Sequence, residues 1–294
     1  MAIPVYPEFK AIELEDSSAF DQALKKDPPV ISELTFTNIF AWRQAYKFES
    51  SLLGGFIILR SLSSGRHIFF PPIGEGDTKG AIVEAFRGGK GIFSRLPEST
   101  GRLFENDPGY KLTPDRDNSD YLYYSEELIS LSGKRFDGKR NLIKKFKSLQ
   151  RYEYVEFRAA DIEECLFFEE DWCRLKNCEA VQGLENERLA IRQMLENFSR
   201  FALVAGGIRV DAKIRAIAIG QELNPQTLVI HVLKADPDMA GLYQLMNNEF
   251  VSRAAVNYRY VNMEQDLGLE GLRKAKLSYH PAAMVNKYTL ELKR

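Results

Sequence analysis

Within the last third of the chain stand five side chains able to move protons: His231, Glu264, Asp266, Tyr243 and Tyr260. An imidazole with a reference pKa near neutrality can take a proton from an amine or hydroxyl, a carboxylate can hold an ammonium or accept its proton, and a phenol can donate one. That set suits transfer of an acyl group, which needs a base, donors for the oxyanion and an acid for the leaving group. Each side chain also has a plainer reading. His231 could be satisfied by a hydrogen bond in the core, Glu264 and Asp266 could cap the next helix and pair with Arg273 or Lys274, and either tyrosine could be one with a wet hydroxyl.

The elements that must position these groups centre on Thr227–Phe250, TLVIHVLKADPDMAGLYQLMNNEF. Leu228 to Lys234 has the β-branched and apolar density of a strand buried on both faces, and the DPD corner stops it. Leu242, Leu245, Met246 and Phe250 then recur at helical spacing, with Asp236 or Asp238 as the expected cap. A strand, a corner and a helix start together aim backbone amides at a ligand. Lys234, Ala235, Gly241 and, on the next strand, Asn262 are therefore the candidate donor contacts. Strict alternation puts His231 on the face of Val229 and Leu233 and Lys234 on the other, unless a bulge intervenes.

A second distinctive stretch is Leu131 to Arg151. Lys134, Arg135, Lys139, Arg140, Lys144, Lys145, Lys147 and Arg151 face only Asp137 there, while Leu142, Ile143, Phe146 and Leu149 form an apolar stripe. A helix of this kind docks on protein with one side and presents cations with the other. The presented side is either a solvated face or a contact for tRNA or another polyanion, which Arg273, Lys274 and Lys276 would extend.

Composition bounds the rest. The 294 residues suit two domains, and 45% hydrophobic with 12% aromatic content supports full cores. A net charge of −1 argues against a chain that coats nucleic acid along its whole surface. No apolar run approaches a membrane span and the N-terminus lacks a signal-peptide core, so a cytoplasmic chain is expected. Cys165, Cys173 and Cys178 are odd in number without CxxC spacing, which predicts reduced structural thiols. His67, His231 and His280 are far apart and offer no metal-ligand spacing, so no metal and no built-in cofactor are expected.

Along the chain, Phe9–Leu14 reads as a strand, Ser17 or Ser18 to Lys26 as a helix, Ile31–Tyr46 as a helix with an aromatic core stripe, and Leu52–Leu62 with His67–Pro71 as a hairpin turning at Ser63–Gly65. Helix Thr78–Phe86 ends at Gly88 and Gly89, and strands Gly91–Leu96 and Ser119–Tyr124 complete a first half. The second half reads as strand Tyr154–Arg158, helices Asp161–Leu175 and Asn186–Phe201, a hairpin from Phe201 to Leu223 turning at Asp211 and Ala212, strand Leu228–Lys234, helix Leu242–Ala254, strand Tyr258–Met263, helix Leu269–Lys276 and strand Lys287–Leu292. Both halves thus share one order, which predicts an α+β fold of two tandem GNAT-like domains, each a mixed, mostly antiparallel sheet flanked by helices. The expected division is 1–133, a basic helical connector 134–152, and 153–294 with the chemistry in the last part.

The motifs GGIRVDAKIRAIAIGQEL (206–223), IHVLKAD (230–236), GLYQLMNNEF (241–250) and YVNMEQDLGLEGLRKAKLSYHP (260–281), with SELTFTNIFAWR (32–43) and LSGKRFDGKRNLIKKF (131–146), resemble the phosphatidylglycerol lysyltransferase C-terminal domain family. The resemblance implies a tandem GNAT architecture related to Fem peptidyltransferases, which move an aminoacyl group from aminoacyl-tRNA to an amine or hydroxyl acceptor. The acceptor would be a small molecule, a peptide or a lipid headgroup. The full-length lipid enzymes carry a multi-span membrane half with no counterpart here. Acyl-CoA is the alternative donor, in an N-acyltransferase. Against it, aligning Gly241 with the first glycine of a pyrophosphate loop puts Asp238 where a basic residue belongs and Tyr243 where a small one does. A non-catalytic ligand- or partner-binding module is the third reading. Oligomeric state is not legible in the sequence.

Overall fold

The computed structural model describes residues 2–62, 65–88, 91–180 and 182–293. They form two compact units. Unit 1 comprises Met1–Asp120, Gln265–Glu270 and Met284–Arg294, and unit 2 comprises Tyr121–Glu264 and Gly271–Ala283. The contiguous division 1–133, 134–152, 153–294 is corrected accordingly. The boundary falls at Asp120, the basic helix lies inside unit 2, and two later segments return to unit 1.

Unit 1 is a sheet in the order Lys10–Ala11, Phe48–Leu53, Phe56–Ser61, His67–Phe69, Gly91–Pro97, Lys287–Leu292, Tyr110–Pro114, with Ile73–Gly74 paired to Phe56–Ser61. Its parallel pair is His67–Phe69 with Gly91–Phe93, joined through helix Thr78–Arg87. The Asp77 carboxylate caps that helix by accepting the Gly80 N–H at 2.9 Å. Gly54 and Gly55, at φ of 56° and 90°, make the two-residue turn of the first hairpin. The expected arm Leu52–Leu62 therefore breaks at this turn. Of the turn expected at Ser63–Gly65, Ser63 and Ser64 lie outside the described residues, as does Gly89. Helix Phe36–Tyr46 starts five residues later than expected, capped by Thr35. Ahead of it the Ser32 N–H and hydroxyl are both bound to the buried Asp120 carboxylate, at 2.8 and 3.0 Å, which holds that stretch out of the helix. Phe36, Ile39 and Phe40 are core residues.

Unit 2 has the strand order Asp120–Tyr124, Tyr260–Asn262, Thr227–Ala235, Lys213–Asn224, Leu203–Val210, Glu153–Glu156. Tyr260–Asn262 runs parallel to Thr227–Val229, and the other pairs are antiparallel. Asp211 and Ala212, both at positive φ, form the long hairpin's turn. Helices Asp137–Leu149, Ile162–Lys176, Gln182–Glu196, Leu242–Ala254 and Glu270–Leu277 pack around the sheet. Helix Leu242–Ala254 buries Leu242, Leu245, Met246, Phe250 and Val251. At roughly 2 kcal/mol per fully buried large apolar side chain, this helix is held by packing rather than by capping. Each unit thus has an antiparallel run and one parallel pair joined by a helical crossover, the GNAT-like pattern. None of the helices is long and apolar enough to cross a membrane among the described residues.

Cysteines depart from expectation. Cys173 and Cys178 are joined as a disulfide with Cα atoms 5.1 Å apart. Helix Ile162–Lys176 ends at Asn177 in the left-handed region, which turns the chain back and brings Cys178 to Cys173. Cys165 is the free, buried thiol, and burial raises it to about 12.

Candidate functional site

The parallel pair of unit 2 is short. Thr227, Leu228 and Val229 pair with Tyr260, Val261 and Asn262, and strand Thr227–Ala235 then continues without that neighbour. Just past the last rung the register against the other neighbour slips, from Ile230↔Gly220 to Val232↔Ile219, leaving His231 with no partner residue. This is a β-bulge, a device that re-aims one side chain. It overturns the strict alternation: Val229 and Lys234 now pair with Gln221 and Ile217 and share a face, and His231 stands outside the pleat.

His231 and Glu264 come together. The imidazole Nδ1 lies 2.8 Å from Glu264 Oε1, while Nε2 is buried with no hydrogen-bond partner. With the carboxylate ionised, Nδ1 carries the proton and Nε2 keeps a free lone pair, the tautomer of a general base. Glu264 is held by its own backbone. At φ of 57° its N–H donates to Asn262 Oδ1 at 2.7 Å, and its carbonyl accepts the Tyr121 N–H at 3.1 Å. Asn262, expected as a donor contact, is fully buried and sets Glu264 instead.

Lys234 is not presented to a ligand. Its ammonium is buried between Glu169 Oε1 at 2.8 Å and Glu187 Oε2 at 2.9 Å, 4.0 Å from the Trp172 ring centroid. Burial raises the Glu169 carboxyl against the pull of this ammonium. The Ala235 carbonyl, a second expected contact, accepts the Trp172 indole N–H at 3.0 Å. Sequence reading missed Glu169 and Trp172. Their signal was a glutamate four residues from each of Cys165 and Cys173, on the apolar face of one helix.

The corner itself is closed. Asp236 accepts the Asp238 N–H at 3.0 Å and pairs with Arg215 at 3.1 Å, so neither aspartate caps the following helix, whose N-cap is Gly241. Gly241, at φ of 94°, presses against helix Asp137–Leu149, where a Cβ would stand 2.4 Å from the Leu142 carbonyl. A carbonyl oxygen at that place opposes a diphosphate.

The other expected residues scatter. Asp266 belongs to unit 1, fully buried, where it pairs with Arg116 at 3.1 Å and accepts the Gly268 N–H at 2.9 Å. Tyr260 stacks on Tyr124 with centroids 5.5 Å apart. Tyr243 keeps 39% of its surface exposed. Desolvation of its hydroxyl and the Glu187 carboxylate raise the phenol to about 12. On the basic helix and its lead-in, Lys134 and Lys144 are exposed. Arg140 donates to the Leu131 and Gly133 carbonyls and to Asp137, so its charge is used within the protein. Lys139 Nζ bonds Ser278 Oγ at 2.6 Å and lies 4.0 Å from the Tyr279 ring centroid. Arg273 and Lys274 lie on helix Glu270–Leu277, half-buried and exposed respectively.

Two mixed sheets, each with a crossover-joined parallel pair, define a tandem GNAT-like protein, and the His231–Glu264 pair sits where the second parallel pair opens. The chain belongs to the family described as phosphatidylglycerol lysyltransferase, C-terminal, which matches residues 28–291. A conserved protein of unknown function from Bacteroides thetaiotaomicron VPI-5482 is similar at 33% identity, covering 97% of this chain and 99% of that one with a TM-score of 0.89. The L-PGS from Bacillus licheniformis is similar in fold at 14% identity, covering 100% and 95%, with a TM-score of 0.66. FemX is similar in fold at 7% identity, covering 97% of each chain, with a TM-score of 0.58. No curated protein sequence matches the chain.

Proposed function

We propose that the chain is an aminoacyl transferase in which His231, oriented by Glu264, takes the proton from an attacking amine or hydroxyl. The observation that carries this reading is the imidazole with Nδ1 on a carboxylate and Nε2 without a partner. The acceptor nitrogen or oxygen would attack the ester carbonyl as its proton passes to Nε2, and the imidazolium would then give that proton to the leaving hydroxyl. Membership in a family named for lysyl transfer to phosphatidylglycerol supports the reaction class, and the resemblance points to aminoacyl-tRNA as donor.

The acyl-CoA alternative has less support. A pyrophosphate at the start of helix Leu242–Ala254 would meet the Leu142 carbonyl at Gly241 and would have Asp238 nearby instead of a basic side chain. A second reading, a non-catalytic binding module, is favoured by the burial of His231, whose side chain is 1% exposed.

Incubation of the purified chain with a panel of labelled aminoacyl-tRNAs and amine or hydroxyl acceptors tests these readings. Wild type is expected to consume at least one donor in an acceptor-dependent way, and His231→Gln to bind it without consuming it. A donor that wild type binds and never consumes makes the protein a binding module. Equal turnover by His231→Gln removes the base assignment.

A further inference from the structure

Helices Ile162–Lys176 and Gln182–Glu196 of unit 2 pack on each other and share one task. Glu169 from the first and Glu187 from the second hold the buried Lys234 ammonium, at 2.8 and 2.9 Å. What ties the two helices lies one turn away. Cys173, four residues after Glu169, is bridged to Cys178 in the short turn Cys178–Ala180 that leads to the second helix. The cross-helix pair Arg192–Glu170, at 2.8 Å, is exposed at both ends, and such a pair contributes little. The bridge is the firm tie at this end of the helix pair.

It is also open to attack. A cavity of about 380 Å³ is lined by Glu170, Cys173, Arg174, Asn177, Cys178 and Arg188, so a small thiol can approach the sulfurs. Cys173 is 6% exposed and Cys178 1%, which makes Cys173 Sγ the more accessible target. Electrostatics agrees with access. Cys173 Sγ lies 3.9 Å from Glu169 Oε1, and a departing thiolate is worse placed beside that carboxylate than at Cys178. The same contact couples the bridge to the clamp. A disulfide sulfur has no proton to give, so Glu169 Oε1 is left to the Lys234 ammonium. A reduced Cys173 thiol can donate to that oxygen in competition with the ammonium, just as the second helix loses its covalent tie.

We propose that Cys173–Cys178 is a thiol-exchangeable latch, opened by a dithiol reductant, that fixes Glu169 and Glu187 together on Lys234 while it is closed. One thiolate of the dithiol attacks Cys173 Sγ, the protein S–S bond breaks, and Cys178 leaves as a thiolate that takes a proton. The second thiolate of the dithiol then attacks the dithiol sulfur of that mixed disulfide, which closes a cyclic disulfide and releases Cys173 to take a proton in turn. The protein gains two electrons and two protons, and the dithiol loses them. The latch goes beyond the transferase reading and does not depend on it.

Equilibration of the folded full chain with dithiothreitol, followed by acid quenching, denaturation, alkylation and mass spectrometry, tests it. A closed bridge leaves one of the three cysteines reactive, and an open bridge leaves all three. The chain purified without reductant should show one. Dithiothreitol should raise this to three well below the unfolding temperature and lower Tm by roughly 4–7 °C. Glu187→Gln should lower the Tm of the oxidised chain by several degrees and that of the reduced chain by less than half as much, because only the closed latch holds Glu187 on Lys234. The double variant Cys173→Ser/Cys178→Ser should match the reduced chain with or without dithiothreitol. Three reactive thiols in the chain purified without reductant overturn the proposal, as do a bridge that opens only when the protein unfolds, and an equal cost of Glu187→Gln in both states.

Discussion

The parallel strand pairs of the two units share a topology and differ in the side chains at their open ends. In unit 1, Phe69 and Phe93 stack with centroids 5.2 Å apart across the pair, and Phe86 from the crossover helix meets Phe93 edge-on at 5.1 Å. Gly91 gives Phe69 its room, since a Cβ there would stand 2.7 Å from the ring. In unit 2 the last rung is Val229 with Asn262, and two residues further along stand His231 on a bulge and Glu264 in a left-handed turn. A crossover-joined parallel pair thus serves once as a core and once as the edge of a polar site, and the residues at or just past the last rung decide which. In unit 1 the charges are gathered elsewhere: Lys287 is buried between Glu33 at 2.6 Å and Asp120 at 2.5 Å, with Arg95 on the other Glu33 oxygen at 2.8 Å.

This contrast can be broken from either side. The largest effect is expected from His231→Gln, which should lower kcat by about 10²–10⁴-fold with donor affinity unchanged, measured by single-turnover kinetics. Phe93→Ala should destabilise unit 1 by about 3–5 kcal/mol, read from denaturant unfolding, because nothing can refill the ring's volume. Should Phe93→Ala prove neutral, the stacked cluster is not what closes that unit. Gly91→Ala should cost about 1–3 kcal/mol by forcing aside both the Phe69 ring and the His67 carbonyl, which a Cβ would approach to 2.8 Å, and a smaller loss would mean that ring and strand relax freely. The smallest effect is expected at Cys165. Held near 12 by burial, its thiol stays protonated at pH 8 and should resist alkylation until the protein is denatured, as mass spectrometry would report.

Much of the local structure was legible. Helix Leu242–Ala254 and strand Lys287–Leu292 match the apolar spacing residue for residue, and the hairpin turns at Asp211 and Ala212 as expected. The pairing of His231 with Glu264 was not, because it depends on a bulge, and a one-residue slip between two apolar strands leaves no mark in either. Asp266 lies two residues after Glu264 and belongs to the other unit, which spacing could not reveal. Lys234 suggested a ligand contact because its neutralising carboxylates stand on two helices far away in sequence. The basic helix read as a uniform cationic face, yet Arg140 ties itself to carbonyls next to the helix start and Lys139 turns inward, distinctions that tertiary contacts make.

The return of Lys287–Leu292 into unit 1 bears on how the protein is made. That strand lies between Gly91–Pro97 and Tyr110–Pro114, so the first sheet stays split until every residue of unit 2 has left the ribosome. Nascent unit 1 must therefore wait with two raw edges exposed to the cell, a state that invites chaperones and punishes stalled translation.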